Sequence, residues 1–309
     1  MATTEKNYEI AEEDIFLSGH NACPGCGEAL AIRYILNTMG PKTIAVVPPS
    51  CVAIISGPQP FSSMKIPVYQ TTLESSAVSA AGISRALARQ GKDDIKVLAI
   101  AGDGGTYDIG FQALSGAAER GEDVVYCCLD NEGYMNTGAQ KSGASPHLVY
   151  TASTPGGKPT AKKNIAEIMV AHGIPYVATA TIGYPDDLAR KVAKARDMKG
   201  GLRFIVVLTP CLAGWGVKEH EGVKVSRLAV KTGIFPLYEV EHGTKYTINY
   251  GPDGTPVQEY FKMQSRYKRL TPADVAQLQE ETDYQWALLQ ARASCVMGVD
   301  QAFQDRAAS

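Results

Sequence analysis

Residues 96–105, KVLAIAGDGG, and residues 123–133, DVVYCCLDNEG, decide the fold predicted for this chain. Each stretch begins with a short apolar run rich in β-branched residues and ends in polar residues and glycine. This is the pattern of a buried strand followed by a loop. Residues 109–120, between the two stretches, have helical character. A strand, a helix and a second strand in this order predict a βαβ unit, whose parallel strands release both loops at one edge of the sheet.

The same alternation extends over most of the chain. Further strands are predicted at residues 43–47, 175–180 and 203–208, and further helices at residues 28–39, 75–90, 163–172 and 186–198. Strands that alternate with helices predict an α/β fold, a parallel sheet with helices on both faces. Ligands of such sheets bind outside the carboxyl ends of the strands, so we expect the site in the loops that follow them.

The pattern changes after Trp215. Residues 217–260 mix short polar and aromatic segments with turn signals, and residues 271–295 return to helix. We therefore predict two parts, a domain of residues 1–215 and a C-terminal extension of residues 216–309. The extension is expected to pack on the domain or on a partner subunit.

Composition excludes several classes of partner. The chain has 309 residues and a formal net charge of −2, so no excess of charge favours nucleic acid or an anionic membrane. Residues 1–14 are polar and acidic, unlike a signal peptide, and no apolar run approaches the ~20 residues that span a bilayer. We expect a soluble, cytoplasmic protein.

The two loops that follow the deciding strands suit a metal-bound diphosphate. Asp103 offers a carboxylate and Asn131 an amide oxygen, both of which are ligands that Mg²⁺ prefers. The glycines let backbone N–H groups approach phosphate oxygens, and a helix expected to begin near Tyr107 points its positive end at them. Gly104 and Asn131 are separated by 26 residues, which matches the motif of thiamine-diphosphate enzymes. The alternative is that GDGG is only a tight turn.

Three of the seven cysteines need no special function. Cys127 and Cys128 lie within a predicted buried strand, where cysteine behaves as a small apolar residue. Cys295 lies near the end of a predicted helix without a neighbouring candidate ligand. Because no secretory signal is present, clustered cysteines indicate metal or redox chemistry rather than a disulfide framework.

The other four cysteines are candidate ligands. Cys23 and Cys26 form a C-x-x-C pair on a loop before a helix, and Cys51 and Cys211 each follow a predicted strand. Four thiolates at one sheet edge could hold a [4Fe–4S] cluster or a structural zinc ion, and a C-x-x-C pair alone could also be a dithiol. A cluster is favoured because it could accept electrons from a neighbouring cofactor, whereas zinc is redox-inert.

Several segments together resemble the β subunits of 2-oxoacid:ferredoxin oxidoreductases, especially the pyruvate-type branch. They are GHNACPGCGEALAIR (19–33), AGDGGTYDIGFQALSGAAERG (101–121), LDNEGYMNTGAQKSGASP (129–146), AHGIPYVATA (171–180) and TPCLAGWG (209–216). The resemblance runs from about Gly19 to the last predicted helix. It implies the diphosphate-binding half of a thiamine-diphosphate site within residues 1–215.

The resemblance also implies roles for individual residues. The expected ligands of the [4Fe–4S] cluster nearest the thiamine are Cys23, Cys26, Cys51 and Cys211. Mg²⁺ would be held by the side chains of Asp103 and Asn131 and by the backbone carbonyl of Gly133. Positions expected to line the diphosphate are Gly102, Gly104, Asn136 and Thr137. Ser50 and Glu74 fall where members of the family approach the cofactor.

The activity implied is oxidative decarboxylation of a small 2-oxoacid, with electrons passing one at a time through the cluster to ferredoxin. The implied partners are a pyrimidine-binding α chain that supplies the activating carboxylate and a ferredoxin-like chain with further clusters. Coenzyme A would be used if the substrate is pyruvate. Two departures from the pyruvate-type pattern, Pro49-Ser50 before Cys51 and the lack of tryptophan in residues 58–67, make oxalate an alternative substrate.

Two other hypotheses assign the chain to a different functional class. The chain could be a non-redox thiamine-diphosphate decarboxylase or synthase subunit with a structural zinc site. It could also be a zinc-stabilised binding module with an inert nucleotide site.

Overall fold

The computed structural model describes residues 10–307, with side chains described for residues 10–294. Its centre is an eight-stranded sheet in the order β2-β1-β3-β4-β6-β5-β7-β8. The strands are β1 Thr43–Val47, β2 Val68–Gln70, β3 Lys96–Gly102, β4 Val125–Asp130, β5 Tyr176–Thr181, β6 Arg203–Leu208, β7 Leu237–Glu241 and β8 Lys245–Tyr250. Strands β1 to β6 pair in parallel, whereas β7 and β8 are antiparallel to their neighbours.

Helices cover both faces of the sheet, which confirms the predicted fold class. They are α1 Gly27–Met39, α2 Cys51–Ser56, α3 Ser76–Arg89, α4 Phe111–Glu119, α5 Ile165–Ala171, α6 Pro185–Asp197, α7 Leu212–Trp215, α8 Gly222–Lys231, α9 Val257–Lys262 and α10 Pro272–Ala307. One core lies between the sheet and α1, α2 and α6. The second lies between the opposite face and α3, α4 and α5.

The central strands are apolar on both sides because both of their faces are covered. All six residues of β4 are buried, as are all six of β5 and of β6. Cys127 faces one core and Cys128 the other, and both are fully buried, as predicted. Burying an apolar side chain of average size contributes about 1.5–3 kcal/mol to folding, so these strands anchor the loops at their ends.

Predicted and observed elements differ most at the carboxyl side of β3 and after residue 215. Instead of a helix from near Tyr107, a single π-helical turn, Gly104–Asp108, follows Asp103 and precedes α4. Residues 237–250 form an antiparallel hairpin that extends the sheet beyond β5, with α10 packed on β8. The C-terminal residues therefore contribute strands to the sheet itself. The side chain of Cys295 lies outside the described residues.

The loops expected to carry the site all leave one edge of the sheet. Strands β1, β3, β4 and β6 are neighbours in parallel pairs, so their carboxyl ends lie side by side. A hydrogen bond of 2.9 Å from the backbone N–H of Thr209 to the carbonyl of Asp130 ties the loop after β6 to the end of β4. None of the described helices has the length and apolar character required to cross a membrane.

Candidate functional site

A cavity of about 500 Å³ opens at the carboxyl ends of the parallel strands. Its walls come from the segments that follow β1, β2, β3 and β4, as expected for a ligand site in a sheet of this kind. Seven of the predicted site residues line it. One, Cys51, was predicted as a cluster ligand, and the other six were predicted to bind cofactor or metal: Ser50, Asp103, Gly104, Gly133, Asn136 and Thr137.

Asp103 lies on the cavity wall with only 2% of its surface exposed. The hydroxyl of Ser142 donates a hydrogen bond to its Oδ2. Burial and then the negative charge of Asp130 raise the pKa of Asp103 well above its usual value. A buried carboxylate of this kind is ionised most readily beside a cation, so the position suits a divalent metal.

Asn131 is buried next to the cavity residue Cys51, and its side chain has one unsatisfied end. Its Nδ2 donates to Glu28 Oε1 at 2.6 Å, and Nδ2 also lies 3.8 Å from Cys51 Sγ. Its Oδ1 is buried without a hydrogen-bond partner among the described residues. A buried carbonyl oxygen without a partner costs free energy unless something binds it, and an oxygen-seeking cation fits that requirement.

Glu28 is a site residue that the sequence analysis missed. It lies in the first turn of α1 with 4% of its surface exposed, and its Oε2 has no partner in the described part of the chain. Burial raises the pKa of Glu28 to about 7, although the hydrogen bond from Asn131 lowers it. Its place directly after the C-x-x-C pair was the available signal, but glutamate in a first helical turn is common for other reasons.

The π-helical turn after β3 brings the backbone of the GDGG loop against the cavity. Thr106 Oγ1 donates to the carbonyl of Gly102 at 2.8 Å, which closes the turn. A Cβ atom at Gly104 would overlap the ring of Tyr134, so only glycine fits between that ring and the loop. Such turns are rare and often occur at functional sites.

The remaining predicted cofactor contacts divide into two groups. Asn136 Oδ1 accepts a bond of 3.2 Å from Cys51 Sγ, and Thr137 Oγ1 donates to Gln140 at 2.6 Å. Both residues line the cavity, as does Ser50. Glu74, in contrast, is exposed, and its carboxylate accepts a bond of 2.8 Å from Thr72, outside the residues that line the cavity.

The four candidate cysteines lie in three adjoining loops. Cys26 precedes α1, Cys51 begins α2, and Cys211 caps α7 by accepting the N–H of Gly214 at 3.4 Å. Cys23 is exposed, while the other three are partly buried. A Cβ at Gly25 (φ 69°) would overlap the carbonyl of Glu219, so the C-x-x-C loop packs directly on the segment that follows Cys211.

The thiols are close enough to affect one another electrostatically. Burial, then the Glu28 carboxylate and, more weakly, Cys211 raise the pKa of Cys26 to about 11. The pKa of Cys51 is raised most by burial and then by the charges of Glu28, Cys211 and Cys26, in that order. The thiols of Cys26 and Cys51 are therefore neutral at pH 7, and ligation of a metal would release their protons.

The thiols do not form a ready-made cage for a single ion. No three histidine, cysteine, aspartate or glutamate side chains within the described residues are grouped as ligands of one metal. Thiolates on a [4Fe–4S] cluster stand further apart than thiolates on one ion, because each binds a different iron atom.

Comparison with known proteins identifies the family. The thiamine pyrophosphate enzyme family, C-terminal TPP binding domain, matches residues 54–207. The pyruvate synthase subunit PorB of Methanocaldococcus jannaschii is 45% identical over 294 residues, which cover 91% of this chain and 98% of that protein. The ketoisovalerate oxidoreductase subunit VorB of Pyrococcus furiosus is 43% identical and covers 92% of this chain and 95% of its own length.

The chain belongs to the β subunits of 2-oxoacid:ferredoxin oxidoreductases.

This membership confirms the resemblance found in the sequence, and it makes the protein an oxidoreductase subunit with thiamine diphosphate as its cofactor and other subunits as its partners. The fold is shared with a solved 2-oxoglutarate:ferredoxin oxidoreductase from Magnetococcus marinus. That structure has a TM-score of 0.52 at 24% identity and covers 68% of this chain and 69% of its own.

Proposed function

We propose that this β subunit holds Mg²⁺–thiamine diphosphate beside a [4Fe–4S] cluster in a cytoplasmic hetero-oligomer. In this complex a small 2-oxoacid is oxidatively decarboxylated and its electrons pass to ferredoxin. The observation that carries the proposal is the position of Cys51. Its thiol lies on the wall of the cavity that contains Asp103, and it contacts the side chains of Asn131 and Asn136.

The residues at the cavity fit the cofactor. Asp103 and the unpartnered Oδ1 of Asn131 would bind Mg²⁺ through their side chains, and Gly133 through its backbone carbonyl. The diphosphate would be held by Gly102, Gly104, Asn136 and Thr137, with Ser50 nearby. When bound, thiamine diphosphate supplies the electron sink that makes loss of CO₂ from a 2-oxoacid feasible.

The cluster would be held by the four cysteines of the adjoining loops, Cys23, Cys26, Cys51 and Cys211. The last three are partly buried, and the exposed Cys23 marks the side nearest solvent. A cluster with Cys51 as one ligand would adjoin the cofactor cavity and could accept electrons from the bound cofactor.

The open side of the cavity requires partner chains. Ile54 lies on its rim with 53% of its surface exposed, and Tyr69, next to the lining residue Gln70, is 52% exposed. A second chain covering these apolar side chains could contribute the pyrimidine half of the site, including its carboxylate. Glu74 remains a predicted contact of the cofactor. A ferredoxin-like chain would carry further clusters. In this arrangement residues 1–215 form the cofactor domain, and residues 216–309 form the extension, which adds β7 and β8 to the same sheet.

The substrate is proposed to be pyruvate, with coenzyme A as acyl acceptor, or oxalate, which needs none. Pyruvate and ketoisovalerate appear in the names of the two curated relatives. The Pro49-Ser50 pair, which supports oxalate, lies on the cavity wall, where a change would affect the substrate.

An anaerobic assay of the assembled complex tests the proposal. Viologen reduction is measured with pyruvate, ketoisovalerate and oxalate, each with and without coenzyme A. The Cys51→Ser variant serves as the impaired enzyme and the exposed Asp93→Asn variant as the matched control. Reduction by pyruvate only with coenzyme A assigns pyruvate, and reduction by oxalate alone assigns oxalate. Absence of reduction with every 2-oxoacid contradicts the proposal.

A further inference from the structure

Glu132 lies between two of the proposed Mg²⁺ ligands, Asn131 and Gly133, in a backbone conformation that L-residues rarely adopt. Its φ is 66°, in the left-handed region where glycine is favoured. It is not at a loose loop tip, since only 3% of its surface is exposed. A strained residue persists where the surrounding structure holds it, and such residues cluster at functional sites.

Two cations hold the Glu132 carboxylate. Lys162 Nζ lies 2.9 Å from Oε1, and Arg266 Nη2 lies 2.5 Å from Oε2. Although burial opposes ionisation, these two charges lower the pKa of Glu132. Lys162 also lies 2.6 Å from Asp130 Oδ2, so the lysine is fixed from a second side.

Arg266 reaches the other side of the same loop through Trp215. Its guanidinium carbon stands 3.8 Å from the centre of the Trp215 ring. The indole Nε1 of Trp215 donates to the backbone carbonyl of Asn131 at 2.8 Å. Arg266 itself is 5% exposed and donates through Nε to Gln264 at 2.8 Å, so its position is fixed by its own segment.

We propose that Arg266, from the C-terminal extension, is a positioning residue for the divalent-cation site. Together with Lys162 it holds Glu132 in the left-handed conformation, which directs the Asn131 side chain and the Gly133 carbonyl toward one ion. If Glu132 relaxed to negative φ, the chain direction between these two ligands would change and they could not both face the ion. The inference rests on the proposed function, because the cation is part of that proposal.

The positioning role and simple electrostatics predict opposite changes in cation affinity when Arg266 is replaced by glutamine. A positive guanidinium near a cation site repels the ion, so charge alone predicts that Arg266→Gln tightens cation binding. Positioning predicts that the same variant weakens it. Glycine adopts positive φ without a side chain to hold it, so Glu132→Gly in the Arg266→Gln background is expected to restore binding.

The test is calorimetric titration of Mg²⁺ into the assembled complex stripped of metal, at one fixed concentration of thiamine diphosphate and with the heat of Mg²⁺ binding to free thiamine diphosphate subtracted. The expected Kd of Arg266→Gln is at least tenfold above that of the wild type. The double variant Glu132→Gly/Arg266→Gln is expected within threefold of the wild type. The exposed neighbour Arg269→Gln is the matched control and is expected within twofold. An unchanged or lower Kd for Arg266→Gln, or a double variant as weak as the single one, overturns the inference.

A second pair keeps the test decisive if Arg266→Gln does not fold. Glu132→Ala and Glu132→Gly both lack the carboxylate and differ mainly in how readily the backbone takes positive φ. The alanine variant is expected to bind about fivefold more weakly than the glycine variant, and equal Kd values overturn the inference. If the wild-type complex itself does not bind Mg²⁺–thiamine diphosphate, the proposed function fails first.

Discussion

Asn131 Nδ2 donates a hydrogen bond to Glu28 Oε1 at 2.6 Å across 103 residues of sequence, and this bond fixes the orientation of the Asn131 amide. Because the nitrogen is engaged with Glu28, the oxygen is the end left without a partner. When Glu28 is ionised its carboxylate can only accept hydrogen bonds, so the ionised form selects this orientation of the amide. Glu28 therefore prepares Asn131 as an oxygen ligand.

Replacing Glu28 by glutamine is expected to weaken cofactor binding. The new amide can donate to Asn131 Oδ1, which would occupy the oxygen intended for the metal and release the nitrogen toward it. We expect the Kd for Mg²⁺–thiamine diphosphate to rise about tenfold, or about 1.4 kcal/mol. Calorimetry on the assembled complex measures this, with the exposed Glu280→Gln as control. Equal affinities for the wild type and Glu28→Gln would show that the carboxylate does not select the amide orientation.

Trp215→Phe is expected to lower the free energy of unfolding by about 3 kcal/mol. The substitution leaves the buried carbonyl of Asn131 without the indole donor, which costs about 1–3 kcal/mol, and it leaves space in a fully buried position. Urea unfolding followed by circular dichroism measures the change. Trp286→Phe, in a half-buried position, is the matched control and is expected to cost about 1 kcal/mol or less. Equal losses for the two variants would contradict the role given to the indole.

Lys191 predicts a specific dependence of stability on pH. Its ammonium is fully buried, and it donates to Asp187 at 2.6 Å and to the carbonyl of Thr179 at 2.8 Å. Burial lowers the pKa of Lys191 to about 8, although Asp187 raises it, whereas in the unfolded chain the pKa is near 10.5. Between these two pH values the unfolded state binds more protons than the folded state, so the free energy of unfolding rises with pH.

Comparison with Lys191→Met isolates this contribution. From pH 7 to pH 10.5, the free energy of unfolding of the wild type should rise by about 3 kcal/mol relative to that of Lys191→Met. Tyrosines titrate in both proteins, so their effect cancels in the difference. The exposed Lys224→Met should show no such change. A difference that is constant with pH would mean that Lys191 is charged in the folded protein over the whole range.

The strands that form the centre of the sheet could be predicted because each is a short apolar run buried on both faces. Residues 43–47 and 203–208 were predicted with the bounds observed for β1 and β6. The hairpin of β7 and β8 was not predicted. Along β8 Tyr246, Ile248 and Tyr250 alternate with polar residues, which is the pattern of a half-buried strand, but the turn signals and mixed composition of residues 217–260 obscured it.

The candidate site was predictable where the signal is local. Asp103 and Asn131 follow strands, and the cysteines have recognisable spacing. Glu28 and Arg266 were missed because their partners are far away in the sequence, Asn131 at 103 residues from Glu28 and Glu132 at 134 residues from Arg266. A charged residue that folding will bury looks in the sequence like any charged residue at the surface.

Iron and acid-labile sulfide, measured per chain on the anaerobically purified protein, test the redox assignment most directly. The account predicts about four of each in the wild type. It also predicts the same content in Cys127→Ser, whose thiol lies in the core, and loss of most iron and of visible absorbance in Cys51→Ser. A colourless wild-type protein, one zinc ion per chain, or unchanged iron in Cys51→Ser would contradict it.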